Sequence, residues 1–81
     1  MTELLTALVH IWTFEWFDSQ EGEYTECSYY LLSDRREDAI IEFNKDENVL
    51  EFTLTLEDTI PMDKFTERTC LPLDMIIDKD G

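Results

Sequence analysis

Apolar and polar positions divide the chain into short segments with two different periods. Residues 8–17, Leu-Val-His-Ile-Trp-Thr-Phe-Glu-Trp-Phe, are rich in β-branched and aromatic side chains and hold neither Gly nor Pro, which predicts a strand. Leu8, His10, Trp12, Phe14 and Trp16 fall on one face, while Val9, Ile11 and Phe17 share the other with Thr13 and Glu15. A strand apolar on both sides is central in its sheet or faces a partner. Asp18, Ser19, Gln20, Glu21 and Gly22 have the composition of a hairpin loop, so residues 23–32 form the return strand. Its alternation sets Tyr24, Tyr30 and Leu32 against Cys27, Tyr29 and Leu31.

Ser33 to Glu37 carry a helix-start signal, with Asp34 placed to accept from first-turn amides and Glu37 to complete a capping box. A short helix over about residues 35–43 would bury Ala39, Ile40 and Phe43. A competing reading makes residues 39–43 a strand. Residues 49–56 alternate cleanly, Leu50, Phe52, Leu54 and Leu56 against Val49, Glu51, Thr53 and Thr55, and predict a half-buried strand. Pro61 suits the first position of a short helix running to about residue 68. Residues 71–77 can add an edge strand, and Lys79, Asp80 and Gly81 are expected to fray. The expected architecture is one α+β domain over residues 1–81, a small antiparallel sheet with one or two short helices; all-β is the alternative.

At 81 residues, folding hides only about 60% of the surface the open chain exposes, so a partner or a second copy would add stability. A homodimer through the aromatic hairpin, Trp12, Phe14 and Trp16, is one expectation. The charge is lopsided: 20 Asp plus Glu against 6 Lys plus Arg, a formal net of −14. With 43% hydrophobic and 12% aromatic residues this is a folded acidic domain and no disordered tail. Such a charge excludes direct binding to nucleic acid or an anionic membrane and points to a basic partner. Residues 1–33 and 46–63 each carry six acids and no Lys or Arg, so twelve of the fourteen net charges come from these two stretches. The candidate partner-binding residues are therefore Asp18, Glu21, Glu23 and Glu26 at the hairpin, and Asp46, Glu47, Glu51, Glu57 and Asp58 around the alternating strand. They are expected to meet on one outward-facing surface. Six carboxylates match about half of the twelve or so charges that 20 Å of duplex DNA displays.

Catalytic and ligand chemistry is sparse. Cys27 and Cys70 are too few and too far apart for a disulfide framework or zinc site and read as buried free thiols. His10, the single histidine, lies in an apolar strand and reads as a packed, hydrogen-bonded side chain. With Gly22 and Gly81 alone there is no glycine-rich phosphate loop. Asn44, Asp46 and Asn48 have calcium-loop spacing, but Val49 replaces the required Gly and Thr55 the bidentate Glu. No enzyme activity, cofactor or metal is expected. Glu3, with no Lys or Arg before the first apolar run, argues against a secretory leader, so a cytoplasmic protein is expected.

In size, acidity and β content the chain resembles the DNA-mimic proteins that bacteriophages and mobile elements encode against host DNA-binding proteins. Their targets include HU-type nucleoid proteins, restriction enzymes and CRISPR effectors. The resemblance lies in composition and in no motif. It implies a non-enzymatic inhibitor that occupies the nucleic-acid-binding surface of a basic host protein, with fast, salt-sensitive association in the host cytoplasm. The alternatives are an immunity protein that neutralises a basic nuclease toxin, and a structural or assembly subunit whose charge serves solubility.

Overall fold

The long aromatic segment forms the spine of the molecule. In the computed structural model, which describes residues 7–77, β1 (Leu8–Asp18) lies between β2 (Glu23–Leu31) and β3 (Thr53–Pro61) and is antiparallel to both. Helix α1 (Arg36–Asp46) joins β2 to β3, and α2 (Met62–Thr69) follows β3. A 3₁₀ turn at Leu73–Met75 leads into β4 (Ile76–Ile77), giving the sheet order β3-β1-β2-β4. The architecture is a small α+β fold.

A helix on each face explains why β1 is apolar on both sides. Trp12 and Phe14 are buried beneath Ala39 and Phe43 of α1, with Trp16, Tyr29, Phe52 and Leu54 packed around them. The Phe14 and Phe43 rings stack at 4.2 Å, and Trp16 and Phe52 meet Phe43 edge-on at 5.3 and 5.0 Å. On the opposite face α2 buries Phe65, whose ring lies 5.4 Å from that of Tyr30, near the buried pair Val9 and Ile60. Both helices thus cover the sheet, but α2 covers only the end away from the hairpin. There the Met62 amide donates to the Ala7 carbonyl at 2.8 Å.

Several expectations shift. The third strand spans Thr53–Pro61, not residues 49–56. The alternation begins upstream of the pairing, so Phe52 and Leu54 still pack on the core while Leu50 is 93% exposed. A bulge opposite Ile11 and Trp12 adds Glu57 to β3, pairing Ile11 with Asp58 and Trp12 with Leu56. The edge strand shrinks to Ile76–Ile77 and runs parallel to β2, which makes the sheet mixed instead of antiparallel. Residues 39–43 are helical.

The cap of α1 is Arg35, with no side-chain cap bond; Ser33 Oγ instead donates to Asp38 at 2.5 Å and accepts the Arg35 amide at 3.0 Å. Pro61 ends β3, because its φ of −57° suits an extended residue as well as a helical one, and α2 begins one residue later. The fraying expected at residues 79–81 lies outside the described residues.

Three side-chain expectations also change. Of the three rings expected on a dimer face, Trp12 and Phe14 are buried within the single chain and Trp16 is half-buried against Phe43, so α1 occupies that face; the rings left in solvent are Phe17 at 54% and Tyr24 at 70% exposure. Cys70 is an exposed free thiol, not a buried one. His10 Nδ1 is buried without a hydrogen-bond partner among the described residues.

Candidate acidic binding surface

The two base-free stretches pair along β1 and β3, and most of their candidate acids lie at the hairpin end of the sheet. Asp18 closes the turn: its carboxylate accepts the Gln20 and Glu21 amides at 2.9 and 3.3 Å, its carbonyl accepts the Gly22 amide at 2.7 Å, and Gly22 supplies the φ of +75° that the turn needs. Cross-strand pairing sets Asp18 opposite Glu23, and Glu15 opposite Glu26. Like charges placed directly across a ladder repel.

The last β3 partner of β1 is Thr53, opposite Glu15, so β1 runs three residues further with no strand on that side. Residues 47–52 pass beside this free edge and leave a notch. On one side of it an open cleft of about 430 Å³ joins Glu15, Phe17 and Tyr24 to Glu51 and Phe52. On the other a cleft of about 470 Å³ joins Phe17 and Asp18 to Glu47 and Val49. Carboxylates from both stretches therefore share the surroundings of Phe17.

The placement departs from a single panel. Strand alternation puts Glu15 and Glu26 on the face that α2 leaves open, whereas Asp18 and Glu23 point to the α1 side. Asp46 ends α1 on that side and accepts the Tyr29 hydroxyl at 2.8 Å. Glu21 stands in the exposed loop, and Glu47 caps the C-terminus of α1. Seven of the nine candidates, Asp18, Glu21, Glu23, Glu26, Asp46, Glu47 and Glu51, thus wrap around the hairpin half of the molecule. Glu57 and Asp58 do not join them: Asp58 pairs with Ile11, seven residues along β1 from Asp18, or about 23 Å. Glu15 belongs with the seven. The sequence signal for it is the hairpin register, which sets this single polar position between Phe14 and Trp16 opposite Glu26.

Among the described residues none of the nine acids forms an ion pair. The pairs present are Lys45 with Glu42 at 3.1 Å and Arg35 with Glu37 at 4.0 Å. Lys45, the base nearest the hairpin along α1, is thereby occupied within its own helix. Arg35 and Arg36 begin α1, and Lys64 and Arg68 lie on α2, so these four bases occupy the half away from the hairpin.

Burial, reinforced by the hydrogen bond to Asp46, pushes the Tyr29 phenol far above its ordinary range. Burial also pushes the Cys27 thiol up, although its contact with Tyr29 acts the other way. Neither group is therefore primed as a nucleophile at neutral pH. No three His, Cys, Asp or Glu side chains among the described residues converge to hold a metal ion, and no helix among them is long and apolar enough to cross a membrane. In comparisons with known proteins the chain matches no family model, no curated protein and no solved structure.

Proposed function

We propose that the protein is a non-enzymatic inhibitor whose hairpin half presents carboxylates to the nucleic-acid-binding surface of a basic protein and excludes DNA from it. One observation carries this reading: acids from two distant, base-free stretches gather at one end of the fold, unpaired with any described Lys or Arg. Holding them together costs self-repulsion, which a basic partner would convert into attraction. Successive same-face positions on a strand stand about 6.7 Å apart, close to twice the 3.4 Å charge spacing of one DNA strand. Recognition centres on Glu15, Asp18, Glu21, Glu23, Glu26, Asp46, Glu47 and Glu51, with Glu57 and Asp58 as an outlying flank.

The test is capture from nuclease-treated host lysate on the immobilised protein, followed by elution with duplex DNA. The expected result is retention of basic nucleic-acid-binding proteins that duplex DNA releases. Retained proteins that stay bound under excess duplex, or a predominance of neutral or acidic ones, would overturn the proposal. A nuclease released only by denaturant would favour toxin immunity instead, and recovery of the protein's own copies alone would favour an assembly role.

A further inference from the structure

The Phe17 and Tyr24 rings are the largest aromatic surface that the chain leaves in water. They pair across the ladder with centroids 5.4 Å apart and planes at 75°. As a cross-strand pair they would brace the hairpin whether or not anything bound them. Their surroundings ask for more than bracing. Both line the 430 Å³ cleft of the notch, whose apolar wall is completed by Trp16 and Phe52 and which also holds Glu15 and Glu51. Carboxylates beside open aromatic faces attract a cation on two counts, by charge and by the ring quadrupole. No Lys or Arg lies in residues 1–33 or 46–63, the stretches that build the cleft, so its own stretches offer no cation.

We propose that this cleft receives an arginine side chain from the basic partner, its guanidinium stacked on Phe17 or Tyr24 and paired with Glu15 and Glu51. Arginine suits it better than lysine, because a planar, weakly hydrated guanidinium stacks on rings and bonds carboxylates at once. The inference rests on the proposed function and adds to it a specific anchor inside a diffuse electrostatic surface, of the kind that dominates interface energies.

The experiment is an amide NMR titration of the full chain with acetyl-Gly-Arg-Gly-amide, its lysine counterpart and its neutral citrulline counterpart. The arginine peptide should shift residues 15–17, Tyr24 and residues 51–53 saturably. The lysine peptide should bind more weakly there, and the citrulline peptide weaker still. Replacing both rings by leucine, Phe17→Leu with Tyr24→Leu, keeps the apolar bulk, removes the π faces and should weaken arginine binding about threefold or more. Equal shifts from the citrulline peptide, shifts spread evenly over every acidic residue, or an unchanged response in the leucine variant would each overturn the anchor. The amide spectrum of that variant reports whether it is folded; should it unfold, the single Tyr24→Leu variant makes the same comparison. The two proposals fail separately. A protein that still displaces DNA from captured proteins but binds no arginine peptide in the notch loses the anchor alone. One that binds the peptide there but displaces no DNA loses the mimicry.

Discussion

Replacing Glu26 by lysine should make the protein more stable and at the same time a poorer ligand. Glu26 is exposed and directly opposite Glu15, with Thr53 on the far side of Glu15. Side chains at directly opposed positions have Cβ atoms about 5 Å apart. Two carboxylates splayed to about 6 Å repel by about 0.7 kcal/mol in water. Screening over a Debye length of about 8 Å roughly halves that figure. Glu26→Lys turns the repulsion into an attraction of similar size, a swing of about 0.6 kcal/mol, within the range measured for cross-strand charge pairs. For a domain of this size that raises Tm by about 2–5 °C. Thermal unfolding followed by circular dichroism measures it. In 1 M salt, where the Debye length is about 3 Å, the gain should largely vanish. Association with the captured basic partner should slow in the same variant, because a charge at the rim acts chiefly on the on-rate. Opposite signs for stability and binding separate the electrostatic account from simple damage to the fold. A lower Tm, or a gain that survives high salt undiminished, would refute the reasoning.

Three further outcomes follow from the packing and the caps. Phe43→Ala removes the ring stacked on Phe14 and should cost about 3–5 kcal/mol by urea titration, a large share of the roughly 4–12 kcal/mol expected for a chain this long; a loss below about 1 kcal/mol would mean the α1 face is not the main core. Cys70 closes α2 with φ 63°, a left-handed conformation that glycine adopts freely, so Cys70→Gly should stabilise by about 0.5–1 kcal/mol, and a loss of stability would show that its side chain matters more than its backbone. Because the Tyr29 phenol is raised in the folded state, its contribution is intact below the ordinary tyrosine pKa of about 10 and is lost as pH climbs above it, where the unfolded chain ionises first. A ring-carbon NMR titration should place Tyr29 above the ordinary tyrosine range and lower in Asp46→Asn; insensitivity to that change would remove Asp46 as a cause.

The parts of the fold that sequence patterning reveals are those set by local chemistry. An uninterrupted β-branched and aromatic run makes β1, a polar loop ending in Gly22 makes the hairpin, and Ala39, Ile40 and Phe43 mark the inner stripe of α1. The displaced third strand shows the limit. Alternation says which side chains share a face but not where pairing starts, and the Leu50, Phe52, Leu54 phase runs on through a segment that merely crosses from helix to sheet. The bulge at Glu57 and the parallel β4 depend on partners distant in sequence, so neither leaves a local mark. For the candidate surface, charge segregation is legible in the sequence, but where the acids lie in space is not: seven of the nine gather around the hairpin and on two faces of the sheet instead of one. That Glu57 and Asp58 stand apart, and that Phe17 and Tyr24 instead of Trp12 and Phe14 face solvent, required knowing which face each helix covers.

The placement of the bases has a consequence for how the molecule meets a charged surface. β1 alone spans about 36 Å, more than either shorter dimension of the 46 × 24 × 18 Å body, so the hairpin marks one pole of the long axis. Arg35, Arg36, Lys64 and Arg68 lie toward the other. That half also carries Asp34, Glu37, Asp38, Asp63, Glu67 and Asp74, so both poles are acidic and the hairpin pole, with one base, is the more so; near a cationic target such a gradient would exert a torque before any atoms touched. The body would swing round and arrive hairpin first, presenting its narrow cross-section, so that even a recess too small for the molecule lying flat could admit it.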